Sequence, residues 1–258
     1  TIAGATGNLG FHIADAFLKQ GCYNVKILRR KLENNNEKAK LLESKGAKIV
    51  YAVYDDKNDL IKAIKGTDVI VSAIRGDYYN DQIMLLTAAK EAGVKRFIPS
   101  EFEPHPVIAG KYKLRDALEK SGLEYTYIFN GIFYEFLEFF GFNVKNKKAT
   151  FYANGDAKVR ITSLADAGRY TAESLKIPEA RNGIIRVGLT LTLNELLKKV
   201  EEVSVIEDKD VQHRFKNKIE PIPPLIDDFK AFIANNAVYN DVDNDKFSFT
   251  PLTITEFF

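Results

Sequence analysis

Short apolar runs alternate with amphipathic helical patterns from Thr1 to about Phe129. The runs are rich in β-branched and aromatic residues, which favour strands, and they lie at 1–4, 24–29, 48–54, 68–74, 95–100 and 124–129. The helical patterns between them lie at about 9–20, 35–45, 57–65, 80–92 and 110–121. This alternation predicts an α/β fold built on a doubly wound parallel sheet.

The alternation ends after Asn130, where an aromatic-rich stretch at 131–142 precedes further short strand patterns. We therefore predict a first domain over 1–130 and a smaller, mainly substrate-side α/β domain over 131–258, with about 155–188 returning to the first. Two capping pairs, Ser163 with Asp166 and Thr192 with Glu195, predict helix starts in this half.

Composition narrows the classes of function. With 37 basic and 35 acidic residues the net charge is +2, which gives no sign of nucleic-acid or membrane binding. The single cysteine, Cys22, excludes an internal disulfide framework and fits a reducing, cytoplasmic compartment. No histidines and carboxylates have metal-ligand spacing, so we expect no metal. Because a first strand needs roughly five residues and only three precede Gly4, we expect that a beginning, with any targeting signal, is missing.

The sequence GATGNLG occupies the turn between the first strand and the first helix. Its GxxGxxG spacing suits either a plain turn or a phosphate-binding loop, in which backbone N–H groups and a helix N-terminus face an anion. The strand before it and the helix after it favour the phosphate-binding interpretation and a Rossmann-type fold. The candidate pyrophosphate contacts are Gly4, Thr6, Gly7, Asn8, Leu9 and Gly10.

The second predicted strand ends in Arg29 and Arg30, where an NAD site usually carries a carboxylate. A guanidinium matches a phosphate, so we predict NADP(H), with Arg29 as the preferred 2′-phosphate contact and Lys38 as a second cation. The alternative is a solvated surface cluster, which we favour for Arg30 and Lys31. Further candidate cofactor contacts follow at the ends of later strands: Ser72, Ala73, Phe129 and Asn130.

These segments, with VKRFIPSEF at 94–102, the stretch 111–137 and RITSLADAGRYTAESL at 160–175, resemble the NmrA-like and isoflavone-reductase-like atypical short-chain dehydrogenases. The resemblance runs over nearly the whole chain, and RFIPSEF is its most specific phrase. It implies a Rossmann domain that binds NADP(H), a smaller substrate domain over the cleft, and a lysine near the position of Lys38.

The same resemblance implies a catalytic residue. Reductases such as phenylcoumaran benzylic ether reductase and isoflavone reductase use a lysine at the head of a K-x-x-[VI]-R segment, which is KYKLR here and assigns the role to Lys111. Lys111 would also contact the cofactor. The first helical turn and the like charge of Arg115, four residues on, both make proton exchange at Lys111 easier. The alternative is that Lys111 is one of many surface lysines; Lys113 would face elsewhere.

The resemblance is weakest on the substrate side. SEF is followed by Glu103, Pro104, His105 and Pro106 where the family continues with glycine, so lignan or isoflavone substrates are not carried over. We name His105, Phe133 and Tyr134 as candidate substrate contacts, although such aromatic runs are about as often core.

Three functions are compatible with these patterns. The first is an NADPH-dependent reductase that passes hydride to a small aromatic or conjugated substrate, with Lys111 relaying a proton. The second is a non-catalytic NADP(H)-sensing regulator of the NmrA type, which would bind a partner protein. The third keeps the fold but binds another nucleotide, and the absence of GKS or GKT after the glycines counts against phosphate hydrolysis. No Tyr-x-x-x-Lys pair occurs in the chain, which argues against ordinary alcohol dehydrogenation.

Overall fold

A computed structural model describes residues 1–30, 36–75, 78–101, 109–145, 147–152, 154–204, 211–214 and 241–258. The chain divides into two compact units. The first unit contains Thr1–Phe129 and Ala167–Ile185, and the second contains Asn130–Asp166 and Arg186–Phe258. In the described residues, no helix combines the length and the apolar character that a membrane span requires.

The described strands are β1 (Ile2–Ala3), β2 (Lys26–Arg29), β3 (Lys48–Tyr51), β4 (Val69–Ser72), β5 (Arg96–Ile98), β6 (Glu124–Phe129), β7 (Ile132–Phe133), β8 (Phe142–Asn143), β9 (Lys148–Tyr152), β10 (Lys158–Thr162), β11 (Gly183–Arg186), β12 (Leu189–Thr192) and β13 (Val211–Arg214). The described α-helices are α1 (Asn8–Gln20), α2 (Glu37–Ser44), α3 (Lys57–Ile64), α4 (Tyr79–Glu91), α5 (Ala109–Glu119), α6 (Leu164–Glu173), α7 (Leu193–Ser204) and α8 (Ile254–Phe257).

A sheet with the order β11-β6-β5-β4-β1-β2-β3 forms the centre of the first unit. Its strands from β3 across to β6 pair in parallel, with Ile2 opposite both Ile27 and Val71. The strand order reverses between β1 and β4, which creates a crevice at the carboxyl ends of these strands. The predicted Rossmann-type sheet is therefore confirmed.

Helix starts in the first unit follow local capping chemistry. The Asn36 side chain accepts the N–H of Ala39 at 2.9 Å at the start of α2, and Asp56 accepts the N–H groups of Asn58 and Asp59 at the start of α3. Between the helices and the sheet lies a core of apolar side chains that includes Leu28, Ile70, Leu85, Phe97 and Leu118. This core holds the strand ends in fixed positions.

Two small mixed sheets form the second unit, with the orders β12-β10-β7 and β13-β9-β8. Both predicted capping pairs are confirmed: the Asp166 N–H donates to Ser163 Oγ at 2.9 Å, and the Glu195 N–H donates to Thr192 Oγ1 at 3.0 Å. The aromatic-rich stretch forms a 3-10 helix over Tyr134–Phe140, and part of it is buried in this unit's own core.

Candidate active site

The glycine loop joins β1 to α1 in a shape that only small residues allow. Gly4 has a φ of +80°, a left-handed conformation that favours glycine, and its carbonyl accepts the N–H of Gly7 at 3.0 Å. A Cβ on Gly10 would lie 2.1 Å from the Gly4 carbonyl oxygen, so α1 approaches the loop more closely than any other residue permits. The loop thus has the close backbone approach that phosphate binding requires, at the N-terminus of α1.

An open crevice of about 240 Å³ lies beside this loop at the carboxyl ends of β1, β2 and β4. Its lining includes three residues of the loop, three arginines and two tyrosines: Gly4, Thr6, Gly7, Leu28, Arg29, Arg30, Tyr54, Ala73, Ile74, Arg75 and Tyr78. The guanidinium groups give the crevice a cationic character that suits a phosphorylated ligand.

The arginines of the crevice differ in their contacts. Arg30 pairs with Asp81, and its guanidinium carbon lies 5.6 Å from the ring centroid of Tyr54 and 4.9 Å from that of Tyr78. The hydrogen bond to Asp81 raises the pKa of Arg30. In the part of the chain that the structure describes, Arg29 has no ion-pair partner. Arg30 is exposed, which agrees with the surface interpretation, and it also lines the crevice. Lys31 lies outside the described residues.

Helix α2 brings Lys38 to the glycine loop. The Lys38 Nζ lies 3.3 Å from Asn8 Oδ1 and 5.8 Å from the centroid of the Phe11 ring, both on α1. Two predicted cofactor contacts that are 30 residues apart in the sequence are thus neighbours at the start of α1. Of the other loop candidates, Leu9 and Gly10 lie in the first turn of α1.

The end of β4 requires a correction. Ser72 is fully buried, and its hydroxyl donates to Gln82 Oε1 at 2.9 Å, so the side chain does not line the crevice as we predicted. The next residue, Ala73, does line it, and its N–H donates to the Ala3 carbonyl at 2.8 Å. The strand is buried on both faces, so its sequence carried no alternation to show which side chain points inward.

Lys111 lies in the first turn of α5, as predicted, because the helix begins at Ala109. Its Nζ donates to the main-chain carbonyl of Glu101. The Glu101 carboxylate accepts hydrogen bonds from Arg115 Nε at 2.9 Å and from Arg115 Nη2. Arg115 therefore does not act on Lys111 as an unopposed like charge, which corrects the sequence argument. Although burial lowers the pKa of Arg115, the bond to Glu101 raises it above the ordinary value.

The predicted cofactor contacts Phe129 and Asn130 are consecutive in the sequence, where the first unit ends and the second begins. Phe129 ends β6 and is buried, with the Arg115 guanidinium 5.2 Å from its ring centroid. Asn130 begins the second unit, where it is fully buried and its Nδ2 donates to the Gly131 carbonyl at 3.1 Å. Within the described residues, Asn130 Oδ1 has no hydrogen-bond partner. Its polar side chain is thus buried with one acceptor unused.

The candidate substrate residues are not equivalent. Phe133 is half-buried and its ring meets that of Phe136 edge-on at 5.9 Å. Tyr134 is a core residue of the second unit: it is 1% exposed, and its hydroxyl donates to the Leu252 carbonyl at 3.2 Å. Burial raises the pKa of Tyr134. We therefore withdraw Tyr134 as a substrate contact, and His105 lies outside the described residues.

Sequence reasoning missed several residues that the fold brings to these places. Arg75, Tyr54 and Tyr78 line the crevice, Asp81 pairs with Arg30, and Glu101 contacts Lys111 and Arg115 of α5. The signal that could have identified them was their position, since Tyr54 ends a predicted strand and Arg75 and Glu101 each directly follow one. In the described residues, no group of three or more metal-ligating side chains comes together.

The parallel sheet, the glycine loop at its switch point and the cationic crevice define a nucleotide-binding domain of the Rossmann type. Comparison with known proteins places the chain more narrowly. The chain belongs to the NmrA-like family, whose model matches residues 1–245.

Reductases are among the relatives. The chain is 35% identical over 220 residues to phenylcoumaran benzylic ether reductase PT1 of Pinus taeda, covering 76% of this chain and 71% of that protein. It is 31% identical over 261 residues to pinoresinol reductase 2 of Arabidopsis thaliana, covering 83% and 81%. The solved structure of AtPrR2 with NADP+ and (+)pinoresinol has 30% identity and a TM-score of 0.71, covering 83% of this chain and 77% of that one. The resemblance noted from the sequence is thereby confirmed.

Proposed function

We propose that this protein is an NADPH-dependent reductase that transfers hydride to a small aromatic or conjugated substrate. The observation that carries the proposal is the joint presence, in one compact unit, of a glycine loop beside an arginine-lined crevice and of Lys111 in the first turn of α5. Relatives named as reductases of pinoresinol and of phenylcoumaran benzylic ethers support this class of substrate.

The residues of the crevice fit the cofactor. The turn at Gly4 and the contact between Gly10 and the Gly4 carbonyl leave the loop backbone accessible to a pyrophosphate at the start of α1. Arg29, which has no ion-pair partner in the described part of the chain, and Lys38 would hold the 2′-phosphate. Ala73 would border the cofactor from β4, with Phe129 at the end of β6 toward its nicotinamide end. Bound NADPH would supply the hydride.

Lys111 would hold and move the proton at its Nζ. The Lys111 ammonium donates to the Glu101 carbonyl, and this bond fixes the amine in place. Donation from a fixed group to an oxygen that gains charge is general acid catalysis. In this proposal the protein supplies orientation and a proton.

Titration of the purified protein with NADPH and with NADH, followed by calorimetry, tests the cofactor. We expect NADPH to bind at least about tenfold more tightly, because the 2′-phosphate adds charge-assisted hydrogen bonds. Equal affinity for both would contradict the proposed 2′-phosphate site. Consumption of NADPH is then followed spectrophotometrically with pinoresinol, a phenylcoumaran, an isoflavone and a naphthoquinone. Tight NADPH binding without turnover on such a panel would favour the sensor function instead.

A further inference from the structure

Glu101 contacts two cations on successive turns of one helix. Its main-chain carbonyl accepts from Lys111 Nζ, and its carboxylate accepts from Arg115 Nε at 2.9 Å and from Arg115 Nη2. Residues four apart lie on the same face of a helix, so Lys111 and Arg115 both face the end of β5, where Glu101 lies. One residue therefore sets the position of the amine and balances the charge next to it.

This ion pair is shielded from water. The Glu101 side chain is 1% exposed and that of Arg115 is 19% exposed. The Arg115 guanidinium carbon also lies 5.7, 5.2 and 5.2 Å from the ring centroids of Tyr112, Tyr127 and Phe129. Water and salt screen the charges of such a buried pair less than those of a surface pair. Loss of either Glu101 or Arg115 therefore leaves Lys111 next to the uncompensated charge of the other.

The chain segment that carries Glu101 is also fixed. Gln82 Oε1, which is buried, accepts the Ser72 hydroxyl at 2.9 Å and lies 3.4 Å from the Ser100 N–H. This contact joins the ends of β4 and β5 immediately before Glu101. The carbonyl that receives Lys111 is thus anchored from the sheet side as well as through Arg115.

We propose that Glu101 is the positioning residue for Lys111: its carbonyl orients the amine, and its carboxylate cancels the charge that Arg115 would otherwise impose on it. The role of Lys111 rests on the proposed function, whereas the coupling among the three residues does not. Besides Glu101 and Arg115, the titratable groups near the pair include Tyr112, Tyr127 and Glu119, which accepts the Tyr127 hydroxyl at 3.1 Å.

The two halves of the pair have opposite effects on Lys111. Glu101→Gln keeps the carbonyl but removes the negative charge, so the remaining Arg115 charge destabilises the Lys111 ammonium. Arg115→Met leaves the Glu101 charge unbalanced and stabilises that ammonium. Two charges on adjacent helical turns then shift the titration of Lys111 by roughly 1 to 2 pH units in opposite directions. The double variant restores the balance.

The test measures how fast N-hydroxysuccinimidyl acetate acetylates Lys111 across a pH range, quantified by mass spectrometry of the peptide that contains it. Only the neutral amine reacts, so the pH midpoint reports the Lys111 titration in the full-length protein. Lys113, on the same peptide and on another face of α5, is the internal control. We expect the Lys111 midpoint to fall in Glu101→Gln, to rise in Arg115→Met and to return to within about 0.3 units of wild type in the double variant.

If both single variants leave the midpoint unchanged, or move it together with that of Lys113, the positioning role is wrong. Arg115→Met leaves the buried Glu101 carboxylate unpaired and could therefore fail to fold. In that case the downward shift of the Lys111 midpoint in Glu101→Gln, and its reversal in the double variant, decide the question.

Turnover separates this inference from the proposed function. With pinoresinol, or whichever panel compound wild type reduces, the high-pH limb of the kcat profile, where the Lys111 ammonium is lost, should move down by the same roughly 1 to 2 pH units in Glu101→Gln, while the Kd for NADPH stays within about twofold. Opposite midpoint shifts without any turnover in wild type would leave the positioning role intact and refute the reductase. Turnover that needs Lys111 but is unaffected by Glu101→Gln would refute the positioning role alone.

Discussion

Two groups of basic side chains in the first unit, the arginines of the crevice and Arg115 near the end of β5, differ in what neutralises their charge. In the crevice beside the glycine loop, the Arg30 side chain is 46% exposed and pairs at the surface with Asp81, and Arg29 has no ion pair within the described residues. Behind β5, Arg115 is 19% exposed and meets a carboxylate that is 1% exposed. A buried cation requires a permanent partner, whereas an exposed guanidinium can exchange water for a ligand phosphate. The arginines of the crevice are therefore suited to binding an anion, whereas the pair of Arg115 with Glu101 is suited to holding Lys111 in position.

The largest expected effect is the loss of turnover on substitution of Lys111, next to the pair of Arg115 and Glu101. Lys111→Ala should lower turnover on any reduced substrate by about 100-fold or more, because it removes the proton donor, while NADPH affinity changes by less than about threefold. Steady-state kinetics and calorimetry measure the two quantities. Lys113→Ala, two residues along on a different helix face, is the matched control and should keep turnover near wild type. Equal losses in both variants would move the chemistry away from Lys111.

In the glycine loop, Gly10→Ala should weaken the binding of NADPH and NADH alike by roughly 30-fold, about 2 kcal/mol. The added Cβ would lie 2.1 Å from the Gly4 carbonyl oxygen, so the loop must move away from α1. Gly7→Ala, whose Cβ would lie 3.2 Å from the same oxygen, should have a smaller effect. Calorimetric titration of both variants with both nucleotides gives the comparison, and unchanged affinities in Gly10→Ala would contradict a pyrophosphate site here.

At the end of β2, Arg29→Ala should lower NADPH affinity by more than about tenfold and leave NADH affinity within about twofold. The selective loss follows because only NADPH carries the 2′-phosphate that the guanidinium would meet. The ratio of the two dissociation constants is the measured quantity. A parallel loss for both nucleotides would mean that Arg29 supports the loop and does not read the phosphate.

The smallest effect is expected for Arg30→Ala. Its pair with Asp81 is partly exposed, and such pairs contribute about 0 to 1 kcal/mol, so NADPH affinity should change by less than about threefold. The variant serves as the matched control for Arg29→Ala, since the two arginines are adjacent in the sequence and line the same crevice. A larger loss than in Arg29→Ala would exchange the roles of the two residues.

Features that depend on local patterns could be predicted from the sequence. The alternation of apolar runs and helical patterns indicated the parallel sheet, and the capping pairs Ser163–Asp166 and Thr192–Glu195 marked helix starts. The helical pattern that begins at about Gly110 placed Lys111 in the first turn of a helix. Each signal is contained within a few residues, where backbone geometry and short-range hydrogen bonds decide the outcome.

Contacts between side chains that are distant in the sequence depend on the tertiary structure. Arg30 and Asp81 are 51 residues apart, and the Glu101 carboxylate reaches Arg115 across 14 residues, so no local pattern connects them. The same holds for the inward-facing Ser72 and for Tyr134, whose hydroxyl meets the Leu252 carbonyl 118 residues away. The helices and strands, and the positions of the glycines, arginines and lysine along them, follow from local patterns in the sequence. The packing of those elements decided which charges are neutralised within the protein and which remain for a ligand, because burial and partner geometry are properties of the folded chain.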